Sequence, residues 1–372
     1  MTVEHDLYAI AEHFRVAGRP TDITPITAGH INDTFILTVR ADGRTTRYIL
    51  QRINHLVFKN PPETMTNVVR VTEHIRAKTL AVDPSLAARQ LAVMTTDDDQ
   101  GYHRDTKGNY WRVYNFIECA VTHETLESTE LAREAARMFG WFQRMLTDLP
   151  GPPLYETIVG FHDTPRRLEV FRKTLKADVA GRVSSAKRET EFVLDNAAIC
   201  DILPELMATG EIPIRIAHND AKINNVMLDK DTGKGVCVID LDTVMPGLSI
   251  HDFGDLVRTA TCPAAEDERD LSKVAVDLDM FGALVQGFAQ ETHGFLTPAE
   301  RRHLTFGGKL ITFEQLIRFL TDYLAGDVYY KVYRPGHNLD RSRTQMKLVE
   351  SIIGQEAAMN ARVENAFWEC AT

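Results

Sequence analysis

Residues 218–225 read His-Asn-Asp-Ala-Lys-Ile-Asn-Asn, and the spacing His-x-Asp-x-Lys-x-x-Asn gathers three useful groups on one loop. A carboxylate, Asp220, can sit beside an attacking hydroxyl. An ammonium, Lys222, can meet a transferring phosphate, and the amide oxygen of Asn225 is a hard ligand for Mg²⁺. This is the minimum set for phosphoryl transfer, a reaction that consists mostly of positioning and charge neutralisation. The competing reading is a polar turn in which His218 is a satisfied core histidine. Context argues for the chemistry, because the loop follows the apolar end of "IPIRIA" and precedes "VCVIDLD", a buried-looking strand that delivers Asp240. A neighbouring strand is where a magnesium carboxylate should arrive.

A second acidic stretch, "HDFGD" at 251–255, contains Asp-Phe-Gly, the tripeptide whose aspartate holds magnesium in many kinases. Asp252 lies beyond Pro246 and Gly247, however, and Asp240 is nearer to the loop. The metal is therefore assigned to Asn225 and Asp240. Asp252 is expected to be structural, accepting backbone N–H groups at the start of the "FGDLVRTA" helix and bracing the loop. Asp242, expected on the same strand face as Asp240, is an even choice for a second ion.

The elements that must position these groups divide into two kinds. Leu7, Ile10, Ala11 and Phe14 are spaced as one face of a short helix. Short β-branched and aromatic runs follow, "TPITAG", "TFILTVR" and "TRYILQRI", with Asp42-Gly43 as a hairpin signal between the second and third. A helix is expected after Asn60 as N-cap, with prolines in its first turn. "QLAVMTTDDDQ" and "YWRVYNFIE" make a further strand pair. Beyond Glu118 the periodicity turns helical, with Thr164 expected as an N-cap and "SSAKRETEFVLDNAAICDIL" as one amphipathic helix. The expected fold is α+β and two-lobed, with a small antiparallel sheet and one helix in residues 1–118. A larger, mainly helical part covers 119–372, with the catalytic loop, metal site and acceptor site.

Composition agrees with a soluble enzyme and narrows its partners. Of 372 residues, 44% are apolar and 25% charged, with a net charge of −10 that argues against a broad nucleic-acid or anionic-membrane surface. The five cysteines are scattered with no C-x-x-C pair, no apolar run approaches a bilayer span, and "MTVEHDLYAI" does not read as a signal peptide. A cytoplasmic setting is expected; oligomeric state is left open.

"HNDAKINN" and "IDLDT", preceded by a β-rich part, resemble the aminoglycoside phosphotransferase and choline kinase superfamily, which shares the protein-kinase-like fold. "GHINDTF", "YILQRIN", "WRVYNFIE", "FHDTP", "IDLDTVMPG", "HDFGD", "RFLTDYLAGDVYY" and "HNLDRSRTQMKLV" extend the likeness over nearly the whole chain, toward the bacterial N-acetylhexosamine 1-kinases. The resemblance implies transfer of the γ-phosphate of ATP to the anomeric hydroxyl of a small N-acetylated sugar. Asp220 would orient and deprotonate that hydroxyl, Lys222 would meet the transferring group, and Asn225 and Asp240 would hold Mg²⁺. "NFIE" (Asn115 to Glu118) would offer backbone groups, Asn115 and Ile117 among them, to adenine. The turn with Gly29 and Asn32 would cover the nucleotide. His30, Arg318 and Tyr329 would grip the sugar.

Two departures from the wider kinase pattern stand out. The covering turn has one glycine, Gly29, and the strand "RYILQRIN" has no lysine for the phosphates. Gln51 or Arg52 occupies that region, and because strand side chains alternate only one can face inward; the choice stays open. A different acceptor, such as an aminoglycoside or choline-like amine, is the alternative enzyme, and a catalytically dead binding module is the non-enzyme alternative. A zinc hydrolase lacks the histidine spacing it would need.

Overall fold

The structure, a computed structural model, describes residues 6–26 and 31–372. Gly29 and His30 lie outside the described residues. The chain divides into two compact units, the first made of residues 1–120, 145–159 and 236–246, the second of 121–144, 160–235 and 247–372.

The first unit is built on an antiparallel sheet in the order Arg19–Ile26, Asp33–Ala41, Arg44–Ile53, Tyr110–Asn115 and Val93–Met94, with His103–Arg104 also paired to Tyr110–Asn115. The hairpin at Asp42-Gly43 forms as expected: both residues take positive φ, 49° and 76°, which a two-residue turn of matching twist demands. Alternation assigns the faces. Leu37, Val39, Tyr48, Leu50, Trp111 and Val113 bury one face together with Ile10 and Phe14 from the N-terminal segment. Gln51 lies opposite Arg112 in the register and belongs to the other face. The helix Pro61–Val82 starts at Asn60 with prolines in its first turn, as expected, although the Asn60 side chain makes no capping bond.

The second unit is mainly helical, and two local expectations change there. Asp163 rather than Thr164 caps the helix Thr164–Ala177, its carboxylate accepting from Arg166 N–H. "SSAKRETEFVLDNAAICDIL" is not one helix. It breaks into Val183–Ala186, Lys187–Asp195, Ala197–Cys200 and Ile202–Ala208, alternating 3₁₀ and α turns. Asn196, placed between them, bonds through its side chain to the carbonyl of Phe192, the local competition that makes Asn a poor helix-interior residue.

One helix crossing determines much of the site. Ser249–Ala260 and Leu304–Ala325 approach so closely that a Cβ on Gly254 would collide with the carbonyl of Gly307, and one on Gly307 with that of Ile250. Only glycine permits this backbone proximity. It brings Arg258 on one helix near Arg318 on the other. Leu248, Ile250, Leu310, Phe313, Leu316 and Ile317 close the core around the crossing. No helix among the described residues is long and apolar enough to cross a membrane.

Candidate functional site

In the second unit the short strand Arg215–Ala217 ends at the loop 218–225. His218 is fully buried, with its ring edge-on to Phe139 and Phe142 at 5.4 and 5.9 Å, so it is a core anchor for the loop. Asn219 takes φ 62°, a left-handed conformation that a short amide side chain tolerates better than most. Asp252 accepts from both N–H groups of this turn, His218 at 2.9 Å and Asn219 at 2.7 Å, and from the Gln143 side-chain Nε2 at 2.6 Å. The expected bracing role of Asp252 is thus seen, with its backbone bonds going to the loop rather than to its own helix. Burial pushes the Asp252 pKa above the ordinary carboxylate range, the nearby His218 and the three donors pulling the other way.

Asp220 follows directly. Asn225 Nδ2 donates to the Asp220 carbonyl at 2.8 Å and to its carboxylate at 3.2 Å, and Lys222 Nζ lies 3.1 Å from the same carboxylate oxygen. Burial opposes ionisation of Asp220, but Lys222, His218 and Arg258 outweigh it and hold its pKa below the usual value. Asp220 is therefore a carboxylate at neutral pH. Because the Asn225 amide nitrogen is committed to Asp220, its oxygen is the atom left to act as a ligand. That oxygen accepts from no donor among the described residues, and a hard oxygen in such a position suits Mg²⁺.

The second unit also carries Arg258, which acts on Asp220, and Glu314, neither of them singled out from the sequence, together with the expected Arg318 and Tyr329. Arg258 pairs with Asp255 at 2.8 Å and with Glu266 at 3.2 Å; burial works against its charge, yet Asp255, Glu266 and Asp220 keep its pKa raised. Glu314, 2% exposed, takes His162 Nδ1 at 3.1 Å, the Thr164 hydroxyl at 2.7 Å and the Arg167 guanidinium at 3.3 Å. Arg318, one turn further, donates to Gln315 Oε1 at 3.0 Å and stands 5.7 Å from the Tyr330 ring and 6.0 Å from the Phe161 ring. It has no carboxylate within ion-pair distance among the described residues. Tyr329 is 69% exposed, with its edge on Tyr330. The segment carrying both tyrosines is tied down by Asp322, which accepts the N–H groups of Val328, Tyr329 and Tyr330 at 2.8 to 2.9 Å.

The first unit holds Asp240. The strand Gly235–Val238 ends before it, and Asp240 itself takes φ 59°, ψ 57° as the lead-in to the 3₁₀ turn Leu241–Thr243. Asp240 and Asp242 consequently do not share a strand face. Asp240 is exposed. Asp242 is 1% exposed and is occupied: Arg112, equally buried, grips it through both terminal nitrogens, and Asn32 Nδ2 donates to it at 2.8 Å. This answers the question of a second ion ligand, since the oxygens of Asp242 are spent on a guanidinium. Burial disfavours the charge on Arg112, but Asp242 reverses the balance, with help from Asp240, and its pKa ends above the ordinary value. A lone arginine in the otherwise apolar "YWRVYN" was the signal for this pair.

Gln51 and Arg52 separate cleanly. Gln51 stands on the Arg112 face, donating to the Thr34 hydroxyl at 3.0 Å and accepting from Arg112 Nε at 3.0 Å. Arg52 points to the other side and pairs with Asp33, Nε donating at 2.7 Å, at a half-exposed position. Asn32 accepts from Asn54 N–H at 3.0 Å while holding Asp242, so its side chain is a structural link. Asn115 uses its backbone N–H and both side-chain atoms on the segment Gln90–Ala92. The Asn115 N–H and side chain are thereby occupied; beyond it Ile117 is buried and Glu118 exposed.

Comparison with known proteins agrees with this arrangement of elements. An aminoglycoside phosphotransferase from Alicyclobacillus acidocaldarius is similar at 14% identity and TM-score 0.63, covering 98% of each chain. A choline kinase from Cryptosporidium parvum is similar at 12% identity and TM-score 0.52, covering 93% of each. A spectinomycin phosphotransferase solved with ADP and spectinomycin has 12% identity and TM-score 0.53, covering 91% of this chain and 94% of its own. The fold is protein-kinase-like, an antiparallel sheet region followed by a larger helical region. Residues 22–284 match the phosphotransferase enzyme family, and the chain belongs to it.

Proposed function

We propose that the protein is an ATP-dependent kinase that phosphorylates the anomeric hydroxyl of an N-acetylhexosamine. Family membership and the Asp220 loop support phosphoryl transfer, and the ADP-bound spectinomycin phosphotransferase supports an adenine nucleotide as donor. The acceptor class rests on one observation, the cation Arg318. It is steadied by neutral Gln315 and two aromatic rings, so its remaining N–H groups are available to hydroxyl or carbonyl oxygens. Arg258 adds a second buried cation close to Asp220. A polyamine acceptor would call for carboxylates at these positions.

In this reading the sugar hydroxyl donates its proton toward Asp220 as its oxygen forms the new P–O bond and the bond from the γ-phosphorus to the bridging oxygen of ADP breaks. A carboxylate of lowered pKa suffices, because in a loose transition state the base mainly orients the hydroxyl and collects the proton late. Lys222 neutralises charge on the transferring group. Asn225 and Asp240 would hold Mg²⁺, which would supply positive charge against the phosphates.

The test is coupled ADP release across free sugars, aminoglycosides and choline, with ³¹P NMR of the product. Turnover on N-acetylglucosamine or N-acetylgalactosamine with phosphorus on the anomeric oxygen is expected. Turnover confined to amines would overturn the acceptor. Nucleotide-induced thermal stabilisation with no turnover on any acceptor would favour a binding module instead.

A further inference from the structure

His162, from the "FHDTP" stretch ahead of the helix Thr164–Ala177, reaches the loop that carries Asp220. Its Nε2 lies 2.8 Å from the carbonyl oxygen of Asn219 and its Nδ1 lies 3.1 Å from Glu314 Oε1. Both partners offer lone pairs. A carbonyl oxygen has no hydrogen to give, so Nε2 must carry one. The Glu314 carboxylate already accepts from the Thr164 hydroxyl and is ion-paired to Arg167, and although burial opposes its charge, His162, Arg167 and Arg318 hold its pKa well below the ordinary range. It too has no hydrogen to give, so Nδ1 must carry the other. A ring that donates from both nitrogens is an imidazolium.

Asn219 is therefore held through both of its flanking peptide units. Its N–H is taken by Asp252 at 2.7 Å, and its carbonyl by His162 at 2.8 Å. The carbonyl belongs to the planar peptide unit joining Asn219 to Asp220, so fixing its direction fixes the plane from which Asp220 departs. A left-handed residue immediately before the carboxylate needs such a restraint, since otherwise this peptide can flip toward a commoner conformation.

We propose that His162 works as a positioning residue that is charged at neutral pH, an imidazolium clamped between Glu314 and the Asn219 carbonyl that aims the Asp220 carboxylate at the acceptor. The positional part of this inference rests on the phosphotransfer reading of Asp220. The charged groups facing His162 are consistent with it from each side. Glu314 and Arg318 come from the helix Leu304–Ala325, Arg167 from Thr164–Ala177, and Asp255 and His251 from Ser249–Ala260. Burial alone would lower the pKa of His162, but Glu314, the Asn219 carbonyl and Asp255 raise it above its usual value. His251 lies 4.7 Å away, ring to ring, and is driven the other way, to about 3, by burial and by the charge on His162. The pair is thus one cation and one neutral ring.

The sign for pH follows from linkage. The folded state holds the His162 proton more tightly than the unfolded chain, so its contribution is fully present below the unfolded value of 6.5 and is lost as pH rises through the raised folded value. Activity that depends on the clamp should fall over the same alkaline interval.

The direct experiment is side-chain NMR of the full chain with ¹⁵N-labelled histidine at pH 7.5, the His162 resonances being identified by their loss in His162→Gln. Both ring nitrogens are expected to carry protons; a ring with one bare nitrogen at that pH overturns the proposal. Kinetics supply the second arm. His162→Gln, which can still donate one hydrogen bond to the Asn219 carbonyl, should lose about 10-fold in kcat, and His162→Phe about 100-fold, with the nucleotide KM little changed. The alkaline decline of the wild type should be absent from His162→Gln. Wild-type kcat and an unchanged pH profile in His162→Gln would also overturn the inference, so a failure of His162→Phe to fold would not shelter it. A doubly protonated ring in a protein with no transfer to any acceptor would count against the functional reading and leave the clamp intact.

Discussion

The Asp240 turn of the first unit and the Asp220 loop of the second solve the same local problem by different means. Each presents an aspartate through a left-handed residue that is not glycine, Asp240 itself at φ 59° and Asn219 at φ 62°. Such a conformation costs on the order of 1–3 kcal/mol and persists only where the surroundings over-determine it. Beside Asp240 the restraint is the buried ion pair of Arg112 with Asp242, sealed at 1% exposure each. Around Asp220 the restraint is a network of titratable parts, with Asp252 on the N–H side and His162 on the carbonyl side. The first device is intolerant of losing a partner, because the other charge would be left buried alone. The second tolerates trimming better but responds to protons.

The largest expected effect belongs to the Asp220 side. Asp220→Asn keeps a hydrogen-bonding side chain of the same shape next to Lys222 and Asn225, so the fold and nucleotide affinity should persist. Transfer should fall by about 10²–10⁴, the usual weight of a positioned acid–base group. Coupled ADP release together with nucleotide titration measures both quantities, and a near-wild-type rate would remove Asp220 from the chemistry.

Arg112→Met attacks the other region through stability. It strands the buried Asp242 carboxylate, and breaking one side of a buried pair costs about 3–5 kcal/mol. Adding Asp242→Asn should recover much of that loss, since both charges are then gone. Urea unfolding of the two single variants and the double closes the cycle. If the single and double variants unfold alike, the ion pair is not what holds this turn.

Arg318→Met separates the acceptor from the donor. One charge-assisted hydrogen bond is worth roughly 1.5–3 kcal/mol, so the sugar KM should rise about 10- to 100-fold while the ATP KM stays put. Steady-state kinetics with each substrate varied in turn distinguishes this from a general loss of activity.

The same comparison explains what the chain disclosed in its letters. The Asp42-Gly43 hairpin, the prolines of the helix Pro61–Val82 and the "HNDAKINN" loop rest on local chemistry, and each was readable as such. The partners of these groups were not, because they come from distant parts of the chain. Arg112 and Asp242 are 130 residues apart, and His162 and Glu314 are 152 apart. Asp252 could be separated from the metal role by its position, yet that its backbone bonds go to His218 and Asn219 depends on tertiary packing. "SSAKRETEFVLDNAAICDIL" is different: its apolar period is sound, and the break at Asn196 is made by a local side-chain bond.

Gln51 and Arg52 give the smallest effect and the sharpest use of register. Alternation permits one of them on the Arg112 face, and the pairing of Gln51 with Arg112 makes it the glutamine. Gln51 adds no charge there, but it orients a guanidinium that does. Arg52 faces the other way in a half-exposed pair with Asp33, a type of contact worth about 0–1 kcal/mol. Arg52→Ala should therefore leave nucleotide affinity within twofold and change stability by less than about 1 kcal/mol. Gln51→Leu, nearly the same size, removes the acceptor from Arg112 Nε and the donor to Thr34, and should weaken nucleotide binding severalfold. Isothermal titration of both variants with ATP reads the difference, and the reverse ranking would mean that the strand presents its cation from the opposite face.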